Sequence, residues 1–233
     1  MVWVYCLLMT ILYLYFIMEI FISIDGVLRN TIQKFDYHYN DCYLNSETEG
    51  EEEFEYGILE GPIKNNDLMD SYKFQSKEEY EFFLYMEYPI EIFGHAGLSY
   101  STTFTDLHKI IFENPEHNFT LVGLDELGKA KPATLFFLSK NGFLGNNVKF
   151  IKSDEITKNW SLCDAWITDN KTIVDECPED KNVIKFNTTY NEYFTNKKEI
   201  TKLSEIQEPW LNYTENNTTL TLTQSQTDVE SKD

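Results

Sequence analysis

Six glutamates, Glu47, Glu49, Glu51, Glu52, Glu53 and Glu55, crowd into one short stretch that ends beside Tyr56. Like charges at that density repel one another, so residues 46–57 read as an exposed acidic loop. One chemistry open to it is electrostatic capture of a basic ligand. Tyr56 is a candidate for sulfation in the secretory pathway, which would add another anion. The other reading is a solvated spacer. Nucleophilic or acid–base chemistry has much less to stand on. His38, His95, His108 and His117 lack an evident Ser/Asp or Cys partner pattern. His95, in Phe93-Gly-His-Ala-Gly97, has flexible flanks, but a bland turn histidine is the better reading. Glycine-rich phosphate loops, GxSxG and HExxH are all missing. Carboxylates are too numerous to single out an acid/base pair. His38 and Cys42 stand close, but no CxxC or second His-rich cluster completes a metal site. The sequence therefore predicts no enzyme, no catalytic residue, no metal and no cofactor.

Cysteine and asparagine suggest a compartment. Cys6 lies in an apolar leader, leaving Cys42, Cys163 and Cys177 as disulfide candidates, with three pairings open. Glycosylation sequons occur at Asn118, Asn159, Asn170, Asn187, Asn212, Asn216 and Asn217. Behind a leader, that clustering reads as an extracellular glycoprotein. The leader is Val2 to Ile24, almost unbroken apolar sequence interrupted by Thr10, Glu19 and Ser23. It is long enough to cross a bilayer as a helix. Residues 1–26 are read as a cleaved signal peptide ending near Ile24-Asp25-Gly26, or else as an uncleaved anchor. An initiation site at Met9 or Met18 is a further alternative. Secretion is the expected localisation, with membrane anchoring as the alternative.

The charge balance narrows the partners. With 39 acidic against 19 basic residues the net charge is -20, and Arg29 is the single arginine. Phosphate backbones need a basic face, so nucleic acid is excluded as a partner. An acidic field favours a basic protein partner instead.

The elements that must position these residues look more β than α. Glu81–Phe93 is aromatic and β-branched, broken by Pro89. Phe119–Val122, Thr134–Leu138, Val148–Ile151 and Val183–Phe186 are short apolar runs separated by turn signals. Helix is expected mainly over Thr103–Phe112. The expected fold is all-β: an antiparallel two-sheet β-sandwich with long loops and one or two short helices. It spans residues 27–211, and residues 212–233 are expected to form a disordered, glycosylated tail.

Cys163 and Cys177, with Thr172-Ile-Val-Asp-Glu-Cys177, follow Val148-Lys-Phe-Ile-Lys-Ser-Asp-Glu-Ile156. They precede Val183-Ile-Lys-Phe and Tyr193-Phe-Thr-Asn-Lys-Lys198. Over residues 148–198 this pattern resembles the secreted poxvirus immune-evasion proteins, the family of the viral CC-chemokine inhibitor and its chemokine-binding glycoprotein relatives. The acidic block is similar to that inhibitor's acidic loop. The resemblance implies a β-sandwich decoy that sequesters a basic host chemokine. The alternatives are the same fold binding a cytokine or class I molecule, or a membrane-anchored surface glycoprotein.

Overall fold

Short apolar runs followed by a polar residue set the architecture. The computed structural model describes residues 17–45, 54–59, 63, 68–143, 145 and 147–206. Strands β1 (Glu19–Ser23), β4 (Asn118–Leu124), β5 (Val148–Ile151), β6 (Ala165–Thr168), β7 (Asn182–Phe186) and β8 (Glu199–Ile200) form one sheet in the order β5-β4-β1-β6-β7-β8. Every pairing in it is parallel. Two short strands, β2 (Arg29–Asn30) and β3 (Gly97–Leu98), pair antiparallel apart from it.

Helices cover both faces. Ile20, Ile22, Leu121, Ile167 and Ile184 point to one face, where Phe104, Leu107 and Ile110 of α3 (Thr103–Glu113) and Phe137 and Leu138 of α4 (Lys131–Lys140) bury them. Phe21, Val122 and Trp166 point to the other. There they meet Ile156 and Trp160 of α5 (Ile156–Trp160) and Ile173 of α6 (Lys171–Asp175). The alternation of Ile20, Phe21 and Ile22 between two cores follows from the period of two along a strand. The chain runs from β1 out to β4 and β5, then crosses back to β6, β7 and β8. This is a doubly wound sheet, and its strand order reverses between β1 and β6.

The chain between β2 and β3 builds a second, aromatic core. It contains α1 (Thr31–Tyr39), α2 (Lys77–Phe82) and the wide helical turns Phe83–Glu87 and Ile90–Gly94. Asn30 and Ser76 cap the two helices by accepting from the Gln33 and Glu79 backbone N–H groups. Phe35, Tyr39, Tyr72, Phe74, Phe83, Tyr85 and Phe93 are buried there.

The expected antiparallel β-sandwich is thus replaced by a mixed α/β fold. Strands of a parallel sheet are covered on both faces and read as continuous apolar runs, which a sandwich-core strand also does. The runs at 119–122, 148–151 and 183–186 do lie in strands, but in parallel ones. Thr134–Leu138 lies instead within α4, whose first turn carries Pro132. Glu81–Phe93 is helical, its aromatic residues serving the second core. The helix expected over Thr103–Phe112 is present as α3.

The second half of the apolar leader is also a strand. Residues 1–16 lie outside the described residues, but Ile20, Ile22 and Ile24 are fully buried. They belong to β1 and its immediate continuation, with β1 paired to both β4 and β6. A cut near Gly26 would remove the middle of the sheet. Residues 207–233, including the expected tail, lie outside the described residues. No helix among the described residues is long and apolar enough to cross a membrane.

Candidate ligand crevice

In doubly wound sheets the loops after adjacent strands part at the point where strand order reverses, leaving a crevice beyond the strands' carboxyl ends. Here that point lies between Ser23-Ile-Asp-Gly26, after β1, and Thr168-Asp-Asn170, at the end of β6. The β4 end adds Leu124-Asp125. An apolar strand runs directly into an aspartate three times, at Asp25, Asp125 and Asp169.

Each aspartate is held differently. Asp25 accepts from Arg29 Nε at 2.7 Å and Nη2 at 3.1 Å, and from the Thr31 hydroxyl. Arg29, fully buried, also donates through Nη1 to the Phe93 carbonyl at 2.8 Å and lies over the Phe93 ring. The chain's single arginine therefore joins the sheet to the aromatic core, and its removal would leave a carboxylate without its counter-ion. Asp125 accepts from the backbone N–H groups of Lys129 and Lys131 at 2.9 and 3.0 Å, closing the start of α4. Asp169 accepts from the Tyr190 hydroxyl. Burial pushes the Tyr190 hydroxyl well above its usual range, with the Asp169 charge adding to the rise, so it remains a donor. Asn191 fixes this loop by donating to the carbonyls of Asp169 and Phe186.

Gly26 is the floor of the crevice. Its φ is +76°, and a Cβ there would lie 1.9 Å from Asp169 Oδ2. Only glycine permits both that backbone and the close approach of the carboxylate. Beside it, Trp166 Nε1 donates to Ser23 Oγ at 3.1 Å, and Ser23 donates to Thr168 Oγ1 at 2.9 Å. Ser23 makes no hydrogen bond to an imidazole or carboxylate among the described residues. It lacks the base that would arm a nucleophile.

Two spaces meet over Gly26 and Tyr190. One, of about 90 Å³, has Asp25 and Asp169 below and Tyr80, Leu84, Tyr85 and Phe93 of the aromatic core above. At ~30 Å³ per water it holds about three waters' volume. The other is about 550 Å³ and extends past the end of β7 toward β8. That size falls within the range of small-molecule sites.

The residues singled out by sequence lie elsewhere. Glu47, Glu49, Glu51, Glu52 and Glu53 are outside the described residues, and Glu55 is exposed. Tyr56 is half-buried, stacks on Tyr43 and donates to Glu79 Oε1 at 2.6 Å. Burial, reinforced by that bond, pushes its hydroxyl to about 12. The β-sandwich that the resemblance implies for a chemokine decoy is replaced here by the parallel α/β sheet. Cys42, Cys163 and Cys177 are unbridged. Burial raises the Cys163 thiol to about 12 and the Cys177 thiol to about 11, so both sit as apolar groups rather than reactive thiolates.

Of the sequons, Asn118 is exposed at the start of β4, and Asn187 is half-buried beside the larger cavity. Asn159 is buried and donates to the Glu155 carbonyl, so the folded chain does not present it to solvent. Asn170 caps α6. Asn212, Asn216 and Asn217 lie outside the described residues. His38 stacks on Tyr88, His95 and His108 are exposed, and buried His117 accepts from the Met18 N–H. No group of three or more metal-ligating side chains occurs among the described residues.

Sequence reasoning missed Ser23, Asp25, Gly26, Thr168 and Asp169 as crevice residues. The available signal was the thrice-repeated apolar run ending in aspartate, with strand–helix alternation after Asn118. The chain matches no protein-family model and no curated protein.

Proposed function

We propose that the protein binds a small phosphorylated molecule, without covalent turnover, in the crevice over Gly26, with a magnesium ion bridging the phosphate to Asp169. The observation that carries this reading is the position of the Asp169 carboxylate directly over Gly26, where the strand order reverses. Magnesium typically takes one or two protein carboxylates and completes its shell with phosphate oxygens and water, so a cage of three side chains is not needed. Asp169, which accepts from the Tyr190 hydroxyl and closes on Gly26, would be the first protein ligand, with Asp25 and its Arg29 partner beside it. A cation is required on electrostatic grounds, because a chain of net charge -20 repels a bare phosphate. The smaller cavity suits a phosphate and its ion. The larger leaves space for the rest of the molecule. The reading is one of binding because Ser23 has no base beside it, while the Thr31 and Tyr190 hydroxyls are held as donors to Asp25 and Asp169.

Calorimetric titration of inorganic phosphate, with magnesium and with chelator, tests the reading. Saturable binding is expected only with the metal, and Asp169→Asn should weaken it by about tenfold or more. Equal binding in chelator, or an Asp169→Asn variant that is folded by circular dichroism and binds unchanged, would sink the proposal.

A further inference from the structure

The larger cavity has a lining whose chemistry narrows the ligand class. Asn30, Ser99, Asn187, Thr188, Thr189 and Thr201 bring neutral amides and hydroxyls to its wall. Ser99 already donates to the Gly26 carbonyl, Asn187 to Glu199 and Thr201 to Glu205, so what they offer inward is oxygen lone pairs, which suit a ligand covered in donating hydroxyls. The charged side chains largely answer one another. Lys185, almost fully buried, reaches Glu199 at 3.7 Å and donates to the Phe194 carbonyl. Glu199 also accepts from the Asn196 N–H at 2.6 Å. That bond, the largest influence on it, holds Glu199 below the usual carboxylate range and therefore ionised. Glu192 adds another negative charge at the rim, so a second anionic group on the ligand would be repelled there. Of the aromatic lining, Phe186 and Phe194 each have one ring face covered from within the chain, so the wall meets a ligand mainly through its polar groups.

The two cavities share Gly26 and Tyr190, so one molecule can place its phosphate over Asp169 and its body along the ends of β7 and β8. We infer that the body is a carbohydrate: the crevice is a site for a sugar monophosphate, with the sugar in the 550 Å³ cavity. A nucleobase is the poorer match. It needs a free aromatic face for stacking, whereas the Phe194 ring already carries the Lys185 ammonium 4.5 Å from its centroid and Phe186 is stacked with Tyr100.

This inference rests on the phosphate reading above, and its test separates the two. Calorimetry with magnesium compares inorganic phosphate, glucose 6-phosphate, fructose 6-phosphate, ribose 5-phosphate and adenosine monophosphate. At least one sugar phosphate should bind about tenfold or more tighter than inorganic phosphate, with adenosine monophosphate no better than that sugar phosphate. Asn187→Leu and Thr189→Val, checked for folding by circular dichroism, should remove the sugar-dependent gain and leave inorganic phosphate binding unchanged. If every sugar phosphate binds like inorganic phosphate, or if only the nucleotide gains, the carbohydrate assignment is overturned while the phosphate reading stands. If inorganic phosphate shows no magnesium-dependent binding, both fall together.

Discussion

The sheet and the aromatic insertion solve the same burial problem in different ways. Parallel strands satisfy their own backbone groups, so the sheet core is built largely from Ile20, Ile22, Ile24, Leu121, Ile167 and Ile184. The insertion has short helices and irregular chain, and its backbone needs partners from side chains. Tyrosine supplies them. The Tyr39 hydroxyl accepts from the Gly57 N–H at 3.0 Å and donates to the Lys73 carbonyl at 2.6 Å, and Tyr72 donates to Asp36 at 2.8 Å. Tyr72 packs edge to face with Phe35 at 4.9 Å between centroids, and Tyr39 stacks on it at 6.2 Å. Aromatic rings with a polar tip fill volume and close backbone hydrogen bonds together. The comparison teaches that the sheet carries the fold, whereas the insertion roofs the crevice and is tied to the sheet through Arg29.

The largest test removes the sheet's centre. A chain beginning at Met18 keeps β1 and should melt cooperatively, whereas one beginning at Val27 should not fold at all. A cooperative melt from the shorter chain would mean that β1 is dispensable, and the sheet-first view would fail.

The next test asks whether the two cores open separately. Phe137→Ala in the sheet core and Phe35→Ala in the insertion should each cost about 3–5 kcal/mol locally. In hydrogen exchange, Phe35→Ala should speed exchange over α1, α2 and the turns up to Gly94 while β1 and β4 remain protected. Equal acceleration in β1 would show one indivisible core.

A smaller effect is expected at Gly26→Ala. Strain at positive φ should cost about 1–3 kcal/mol, and displacement of Asp169 should abolish phosphate binding. Retained binding would show that the close approach at Gly26 is incidental.

The smallest is a pH dependence confined to the sheet side. The Cys163 thiol rises from its usual value of 9.0 to about 12 through burial. An unfolded chain releases this proton above its ordinary value while the folded chain keeps it, so stability should fall as pH rises between these limits. Urea midpoints at about pH 8 and about pH 10 should differ, and the difference should shrink in Cys163→Ala. An unchanged difference would place the sensitivity in Cys177 or in the buried tyrosines instead.

Some of this was legible in the sequence. The runs at 119–122, 148–151 and 183–186 announce strands because only β-branched and aromatic residues in short blocks fit a buried pleat. Thr103 to Phe112 announces a helix through its spacing of Phe104, Leu107 and Ile110. Strand direction was not legible, since a run covered on both faces looks alike in a parallel sheet and in a sandwich. The Ile20–Ile24 stretch is as apolar as a leader because the middle strand of a covered sheet faces the same demand to exclude water as a membrane segment.

The sequence by itself therefore determined where the apolar blocks fall, the acidic surplus and the absence of a familiar catalytic signature. Tertiary packing placed β1 between β4 and β6, and so brought the neighbours Asp25 and Gly26 to Asp169, far away along the chain, at one edge. The reason is that local propensity acts within a few residues. Strand order is fixed by long-range burial of both sheet faces at once, and no short window of sequence contains that condition.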